Sequence, residues 1–342
     1  MATAALFAVL GAPLVNAEVA GVEVVETAEI ADATAGGRNL RLKKQQQQQQ
    51  PKPKATTTSS HPPPPPPPLV GLFDFDCNLT HDDLTPLALD AMVRAAAAGV
   101  SEMLVPGATL DESRAALTLS RDHPHTLFAT AGVHPYNAHA APETHELEEL
   151  EALAVLPECR AVGECGLDYS PGFPPAEPQR EWFRAQLELA CRLRQPLFLH
   201  ERLAHDDFVA TVASCQARFG DAFPPAVVHC FTGTERELRA YVARGFYIGV
   251  TGFVCRKELG APLREMLRLV PLQRLVIETD APYMGFPKCR GREPTDPKKQ
   301  YPNVPSALPL VAETVAAALG LTAQEVATAT RANARRFLRL SV

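Results

Sequence analysis

The chain has 342 residues, of which 21% are charged, and its formal net charge at pH 7 is -6. This weakly acidic balance argues against a protein that coats nucleic acid with its whole surface, because such proteins are strongly basic. An enzyme that meets phosphate groups only at a local site is still compatible with it.

The beginning of the chain differs in composition from the rest. It contains a run of glutamines at 45–50 and a run of prolines at 62–68. Neither run can build a hydrophobic core, and the prolines favour an extended polyproline helix. We therefore predict a disordered, low-complexity extension over residues 1–69 and one globular domain over residues 70–342.

The first residues leave more than one interpretation open. Residues 4–15 are apolar and are followed by Asn16 and Ala17, which resembles the core of a targeting signal, although no basic residue precedes them. Residues 1–17 are thus either a targeting peptide, part of a disordered extension, or the product of a mistaken gene start. The segment is too short to cross a bilayer and no other segment is apolar enough, so we expect no membrane association.

The cysteines indicate the redox environment. All eight lie in the predicted globular domain and none forms a CxxC pair, which favours free thiols in a reducing compartment. We expect a cytoplasmic protein, with organellar targeting by residues 1–17 as the alternative.

Strand-like and helical segments alternate through the globular domain. The apolar strand-like runs are residues 71–76, 102–106, 126–133, 160–163, 196–199, 226–228, 246–250 and 274–279. The amphipathic stretches are residues 87–98, 110–121, 145–156, 181–194, 206–218, 235–243, 263–270, 306–319 and 324–338. Thr234 with Glu237 predicts a capping box, and Gly99 and Gly245 are placed to end helices.

This alternation predicts a parallel sheet covered by helices. Eight repeats of it predict a closed (β/α)8 TIM barrel, a fold that typically needs about 250 residues. A doubly wound open sheet is the alternative fold, but no glycine-rich phosphate loop follows an early strand.

Four predicted strands end in a residue that can bind a metal. Glu164, His200, His229 and Asp280 each follow a short apolar run. A (β/α)8 barrel gathers its functional residues at the carboxyl ends of its strands. One of these histidines alone would more often have a structural role, but four such residues at four strand ends predict a site for a divalent ion.

A divalent ion at such a site lowers the pKa of bound water and polarises a phosphoryl or carbonyl oxygen. We take Asp280 and Glu164 as catalytic residues, with Asp280 both touching the ion and accepting the proton from water. Arg202 is placed to clamp an anionic oxygen, with a rim salt bridge as the alternative. His134 is a candidate donor to a substrate phosphate, with a loop cap as the alternative.

Several longer motifs make the interpretation more specific. They are GVHPY, GECGLDY, FLHER with His205 shortly after it, HCFTGT, YIGVTGFVC and VIETDAPY. Together they resemble the TatD family of metal-dependent deoxyribonucleases, over roughly residues 72–340. The resemblance implies a TIM barrel of the metallo-dependent hydrolase type and divalent-metal-dependent phosphodiester hydrolysis on DNA, often in the 3′→5′ direction.

The resemblance also implies roles for individual residues. Glu164, His200, His229 and Asp280 fall on the family's metal positions. His134 falls on the histidine of its GxHP motif, and Arg202 on the arginine of its HxRxA segment. With His205, these two residues are expected to bind substrate.

The chain departs from the family pattern at two places. Asp76 and Asn78 stand where most members have a His-x-His pair, so the chain resembles the branch closest to TatD itself. Asp76 is then an additional metal candidate, Asn78 joins the substrate-binding candidates, and an open site for one or two ions of Mg, Mn or Zn is expected. Residues 302–305 read PNVP in place of an Arg-Asn-Glu-Pro segment, which removes a carboxylate and a guanidinium.

Two further features point to a nucleic-acid substrate. The loop after the last strand carries basic residues, which suit a phosphate backbone as well as a solvated loop: Lys288, Arg290, Arg292, Lys298 and Lys299. Aromatic residues follow several strands and are candidates for base stacking, with core packing as the alternative: Tyr136, Phe231, Phe253 and Tyr283.

These observations predict a metal-dependent deoxyribonuclease, a 3′→5′ exonuclease on single-stranded DNA or strand ends, with RNA as a second polymer, acting as a monomer. Two other functions stay open at this point. The same barrel could hydrolyse an amide or ester of a small molecule. A barrel without catalysis could bind nucleic acid or a protein, with the proline-rich extension as a contact element.

Overall fold

Eight parallel strands alternate with helices in the computed structural model, which describes residues 68–85, 88–290 and 303–341. The strands are β1 Leu72–Asp74, β2 Val100–Val105, β3 Leu127–Ala131, β4 Cys159–Asp168, β5 Leu197–Arg202, β6 Ala226–Val228, β7 Tyr247–Val250 and β8 Leu275–Ile277. The helices are α1 Ala88–Ala97, α2 Leu110–Asp122, α3 Thr144–Ala154, α4 Ala176–Leu193, α5 His205–Phe219, α6 Glu235–Ala243, α7 Ala261–Met266, α8 Leu308–Leu319 and α9 Ala323–Phe337. The predicted extension lies outside the described residues, apart from residues 68 and 69.

The strands pair in chain order from β1 to β8, every pair parallel. Backbone hydrogen bonds then join the last strand to the first: Phe75 N donates to Ile277 O (3.1 Å) and Asp280 N donates to Asp76 O (2.8 Å). This closure confirms the predicted (β/α)8 barrel and rules out the open doubly wound sheet.

The core has two layers, as the barrel geometry requires. Inward-facing side chains fill the barrel and stack on one another, as Phe73 does on Phe128 at 5.7 Å between ring centroids. Outward-facing side chains of the strands pack against the apolar faces of the helices.

Helix α9 covers the amino-terminal end of the barrel. Phe337 packs against the rings of Phe75 (5.5 Å) and Tyr247 (5.2 Å). Arg331 and Arg335 from the same helix pair with Glu102, a buried residue near the start of β2. These contacts stabilise the end of the barrel that lies opposite to the carboxyl ends of the strands.

The predicted helix boundaries agree closely with the structure at several points. Thr234 and Glu237 form the predicted capping box, and Gly99 and Gly245 have φ of 93° and 74° immediately after α1 and α6. Helix α4 is the exception, because it begins at Ala176 rather than at residue 181. Pro178 lies in its first turn, where the missing N–H breaks no hydrogen bond of the helix.

Several of the predicted strand ends are wrong, and three of them matter for the site. Strand β4 continues past Glu164 to Asp168, and β5 continues past His200 to Arg202. Gly166 lets β4 and β5 approach closely, since a Cβ at this position would lie 1.8 Å from the carbonyl oxygen of His200. Strand β8 is shorter than predicted and ends at Ile277, so Asp280 lies in the loop that follows it.

The sequence also predicted free cysteine thiols and no segment that crosses a membrane. All eight cysteines are free thiols. Among the described residues no single helix is long and apolar enough to cross a membrane, although the bent pair Pro305–Leu319 and Ala323–Phe337 meets the length and composition test together.

Candidate metal and active site

Three predicted ligands converge at the carboxyl end of the barrel. Glu164 comes from β4, His200 from β5, and His229 directly follows β6. Glu164 Oε1 is 3.1 Å from His200 Nδ1 and 2.7 Å from His229 Nε2, and the two nitrogens are 3.3 Å apart. Atoms that share a cation at about 2.1 Å are about 3.0–3.4 Å from one another, so two of these distances match a metal site and the Glu164–His229 distance is a few tenths of an ångström shorter.

Asp168 orients His200 and was missed at the sequence level. Its Oδ2 is 2.9 Å from His200 Nε2, while its Oδ1 accepts a hydrogen bond from Ser170 N (2.8 Å). A carboxylate that accepts a hydrogen bond from one ring N–H leaves the other ring nitrogen with a lone pair for a metal. This is the usual support of a metal-binding histidine. The signal in the sequence is the GECGLDY motif, in which Asp168 lies on the same side of β4 as Glu164.

His134 acts as a hydrogen-bond donor rather than as a ligand. Its Nδ1 accepts the backbone N–H of Tyr136 (3.0 Å), and burial lowers its pKa. The neutral ring therefore carries its proton on Nε2, which lies 3.3 Å from Glu164 Oε1. Although His134, Glu164 and His200 lie close enough to form a metal group, a protonated Nε2 has no lone pair for an ion.

A second group of possible ligands lies on the other side of His229. His229 Nδ1 is 3.0 Å from Asp76 Oδ2 and 3.7 Å from Glu278 Oε1. Among the described residues, Nδ1, Asp76 Oδ2 and Glu278 Oε2 are buried without a partner of hydrogen-bond geometry. Asp76 was a candidate ligand from the sequence, whereas Glu278 was missed, although it lies two residues before Asp280.

Asp280 lies beside both groups but belongs to neither of them. Its Oδ1 accepts a hydrogen bond from Asn78 Nδ2 (3.1 Å), and the same amide lies 3.4 Å from Asp76 Oδ1. Asn78 thus bridges the two carboxylates at the position where most relatives were expected to have a histidine. The structure thus brings Asp76, Asn78 and Asp280 together, three residues that the sequence analysis named as candidates.

A buried scaffold holds the loop that carries Glu278 and Asp280. Asp74 accepts hydrogen bonds from Thr279 N (2.7 Å) and Thr279 Oγ1 (2.6 Å). Asn303 donates to the carbonyls of Thr279 (2.8 Å) and Tyr283 (2.7 Å). Neither role was predicted, and Asn303 is the part of the altered PNVP segment that still supports the site.

The electrostatics of the site favour a bound cation. Burial raises the pKa of Asp280 to about 6 and that of Glu278 to about 7. Burial and the charge of Asp280 raise the pKa of Asp76 well above its usual value. The charge of His229 offsets this effect only in part, and a divalent ion would add the positive charge that crowded, buried carboxyl groups favour.

The histidines and Glu164 show the complementary behaviour. Burial lowers the pKa of His200, but its hydrogen bonds to Asp168 and Glu164 outweigh this effect and raise the pKa to about 9. Burial raises the pKa of Glu164, yet the charge of His229 and its other histidine contacts hold that pKa well below the usual value. Protons occupy positions that a metal ion would take, and the donor set therefore fits a divalent cation.

The comparisons with known proteins agree with this geometry. Residues 73–339 match the family of TatD-related DNases. The chain belongs to this family. Metal dependence is a property of the TatD family, and this chain carries candidate metal-binding groups at the carboxyl end of its barrel.

Relatives that carry the TatD name align with this chain over nearly their whole length. The 3'-5' ssDNA/RNA exonuclease TatD of Salmonella typhimurium is 40% identical over 264 residues, which are 77% of this chain and 97% of the relative. The protein of the same name from Erwinia tasmaniensis is 41% identical over 270 residues, which are 79% of this chain and 100% of the relative.

Solved TatD structures share the barrel. The hydrolase TatD family protein of Entamoeba histolytica superposes with a TM-score of 0.66 at 25% identity, over 79% of this chain and 98% of that chain. YJJV, a TatD homolog from Escherichia coli, superposes with a TM-score of 0.68 at 27% identity over the same shares.

The remaining substrate-binding candidates of this TatD chain have different environments. Arg202 ends β5 and is partly buried, and its guanidinium makes no hydrogen bond or ion pair to another described residue. The alternative of a rim salt bridge therefore finds no support in the described part of the chain. His205 Nδ1 instead donates to the hydroxyl of Tyr241 (2.8 Å), which in turn donates to Glu201 (2.5 Å).

The structure describes only part of the basic loop, and it places Phe231 among the aromatic candidates in the core. Lys288 and Arg290 follow β8 at the same end of the barrel, whereas Arg292, Lys298 and Lys299 lie outside the described residues. Phe231 is only 2% exposed and packs on Tyr241 at 6.2 Å, so core packing is its role.

Proposed function

We propose that this protein is a divalent-metal-dependent phosphodiester hydrolase that removes nucleotides from the 3′ end of single-stranded DNA. The observation that carries the proposal is the convergence of Glu164, His200 and His229 on one position at the carboxyl end of a TatD barrel. The relatives that share 40% identity over almost their full length are named 3'-5' ssDNA/RNA exonucleases, which supports the polymer class and the direction.

The trio would hold one tightly bound ion through Glu164 Oε1, His200 Nδ1 and His229 Nε2. An ion bound there lowers the pKa of water and polarises a phosphoryl oxygen. Asp168 fixes the tautomer of His200, and Asp76, whose Oδ2 lies 3.0 Å from His229 Nδ1, is the carboxylate placed to favour a proton on that nitrogen. A neutral imidazole has a single lone pair, so His229 serves one ion only.

The other residues act on the substrate. Asp280 is the proton acceptor for the attacking water, because its buried carboxyl group has a pKa of about 6 and is largely ionised at neutral pH. His134 Nε2–H turns from Glu164 to a phosphate oxygen, and Arg202 offers a second donor to the same anionic group. Both donors need an anionic oxygen as acceptor. The site therefore favours charged phosphate esters over neutral esters.

The choice of ion follows from the ligand chemistry. Two imidazoles and one carboxylate suit Zn or Mn, whereas the surrounding carboxylates Asp76, Glu278 and Asp280 suit Mg or Mn. Mn satisfies both descriptions, and we propose that it gives the highest activity. A second, weaker ion among the three carboxylates would show as a second step in a Mn titration of the metal-free protein.

The test is a metal-titrated nuclease assay on single-stranded DNA and RNA labelled at either end. We expect the 5′-labelled strand to shorten stepwise while the 3′-labelled strand releases its label at once. His229→Ala and Asp280→Asn should lose at least about 100-fold in kcat, the range expected when a ligand or a general base is removed.

The matched control is His145→Ala on α3, whose side chain is 72% exposed and contacts Glu143, which is not a residue of the site. Its activity should equal that of the wild type. Nucleotide release that is the same in His229→Ala as in the wild type would refute the proposal. Strong activity on an amide or ester panel without activity on DNA would instead favour a small-molecule hydrolase, and purified protein that neither binds nor responds to metal would favour a non-catalytic barrel.

A further inference from the structure

Two aromatic rings lie together on the loops beside the active site. Tyr136 belongs to the 3-10 turn Pro135–Asn137 after β3, and Phe173 belongs to the loop after β4. Their ring centroids are 5.4 Å apart at an angle of 74°. Both side chains are only partly buried, so part of each ring is exposed at the carboxyl end of the barrel, with Tyr136 also packed edge-on against His139 at 6.4 Å.

The pair adjoins the position that the reacting phosphate must occupy. The ring of Phe173 is 6.3 Å from that of His134, and the ring of His134 is 4.5 Å from that of His200. His134 Nε2 in turn lies 3.3 Å from Glu164 Oε1. Only one histidine ring therefore separates the aromatic pair from the metal trio.

Each ring is tied through the backbone to a residue of the site. Tyr136 N donates to His134 Nδ1 (3.0 Å). Phe173 N donates to Ser170 O (3.2 Å), and Ser170 N donates to the carboxylate of Asp168 (2.8 Å). The groups that orient His134 and His200 thus also position Tyr136 and Phe173.

The other aromatic candidates at this end of the barrel are buried or pack on residues outside the metal trio. Phe231 is buried, and Tyr283 packs edge-on against His81 at 5.2 Å. The ring of Phe253 lies under the guanidinium of Arg256 at 5.7 Å. Among the described residues, Tyr136 and Phe173 are the aromatic pair that combines partial exposure with proximity to the trio.

We propose that Tyr136 and Phe173 form a nucleobase subsite that stacks on the base of the 3′-terminal nucleotide while its phosphate lies at the metal trio. This inference rests on the proposed nuclease function and extends it to the choice of substrate end. Every base presents a flat π-face, so stacking holds the terminal nucleotide without reading its sequence. A base that enters this subsite must leave its pairing partner, and the subsite therefore favours single strands and frayed ends over duplex ends.

The test compares two oligonucleotides that differ only in the terminal base. One ends in an ordinary 3′ nucleotide and the other in a 3′ abasic tetrahydrofuran residue. We expect the wild type to release the abasic residue with a kcat/KM roughly tenfold lower, because base stacking of this kind contributes about that factor. Tyr136→Ala and Phe173→Ala should lose a similar factor on the ordinary end and little on the abasic end.

A binding experiment keeps this inference separate from the nuclease function. A strand with 2-aminopurine at its 3′ end is titrated with protein in the presence of a chelator, so that no hydrolysis is needed. Stacking should quench the fluorescence with the wild type and not with Phe173→Ala. Phe173→Leu retains an apolar side chain in the loop without the aromatic face and should behave as Phe173→Ala does, even if the alanine variant fails to fold. Phe253→Ala is the matched control and should behave as the wild type.

The possible outcomes are distinct. If the wild type quenches 2-aminopurine but hydrolyses no strand, the nuclease proposal fails and the subsite stands. If Phe173→Leu and Tyr136→Ala distinguish the ordinary end from the abasic end as strongly as the wild type does, the subsite is refuted while the nuclease proposal stands.

Discussion

Replacing Asp168 by Asn tests whether the trio is a metal site held by its surroundings. Asp168 is 1% exposed and uses both carboxylate oxygens, one toward His200 Nε2 (2.9 Å) and one from Ser170 N (2.8 Å). Both partners are donors when His200 binds metal through Nδ1. An asparagine offers one acceptor and one donor, so in either orientation its amide nitrogen meets an N–H.

The size of the effect follows from this mismatch. Loss of the partner that orients a metal-binding histidine typically lowers metal affinity by about 10- to 100-fold, which corresponds to about 1.4–2.8 kcal/mol. The pKa of His200 in the metal-free protein, raised to about 9 by hydrogen bonds to Asp168 and Glu164, should fall in the variant.

Two assays measure these effects. Calorimetric titration of Mn into the metal-free protein gives the dissociation constant, and NMR titration of the imidazole signals gives the pKa of His200. Asp207→Asn is the control, because Asp207 also accepts two hydrogen bonds, from Tyr169 Oη and Arg180, but on the outer face of the barrel. A folded Asp168→Asn protein that binds Mn within twofold of the wild type would refute the assignment of His200 Nδ1 as a ligand.

Three further predictions concern pH, the scaffold and the opposite end of the barrel. The folded-state pKa of His200 (about 9) and that of Asp280 (about 6) lie above their ordinary values of 6.5 and 3.8, so both groups stabilise the metal-free protein at low pH and lose that contribution as pH rises through the folded pKa, Asp280 mainly below pH 6 and His200 above it. Differential scanning calorimetry should therefore show the Tm falling by roughly 5 °C or more between pH 6 and 9, and a Tm that rises would contradict the assigned shifts. Tyr241→Phe removes the hydroxyl between His205 and Glu201 and should lower the free energy of unfolding in urea by about 1–3 kcal/mol, with no change being the result that speaks against the network. Glu102→Gln at the amino-terminal end should lower the free energy of unfolding by about 2 kcal/mol, less than loss of a fully buried pair because Arg331 is 41% exposed. It should leave kcat unchanged, since the site lies at the opposite end of the barrel.

The fold was predictable from the sequence because its signals are local. Short apolar runs separated by amphipathic stretches define a (β/α)8 barrel, and Thr234 with Glu237 marks a helix start from the residues themselves. The strand ends were less predictable. Whether β4 stops at Glu164 or runs to Asp168 depends on pairing with β5, which Gly166 allows by its close approach to His200.

The sequence by itself determined which residue types reach the carboxyl end of the barrel, since a strand brings its last side chains there wherever it lies in the ring. It identified Glu164, His200 and His229 for this reason. Only the tertiary structure decided which ring nitrogen faces the ion, because that depends on partners such as Asp168 and Asp76, which come from other positions in the chain. The physical reason is that a ligand needs both a place in the barrel, which strand order provides, and an orientation, which neighbouring strands and loops provide.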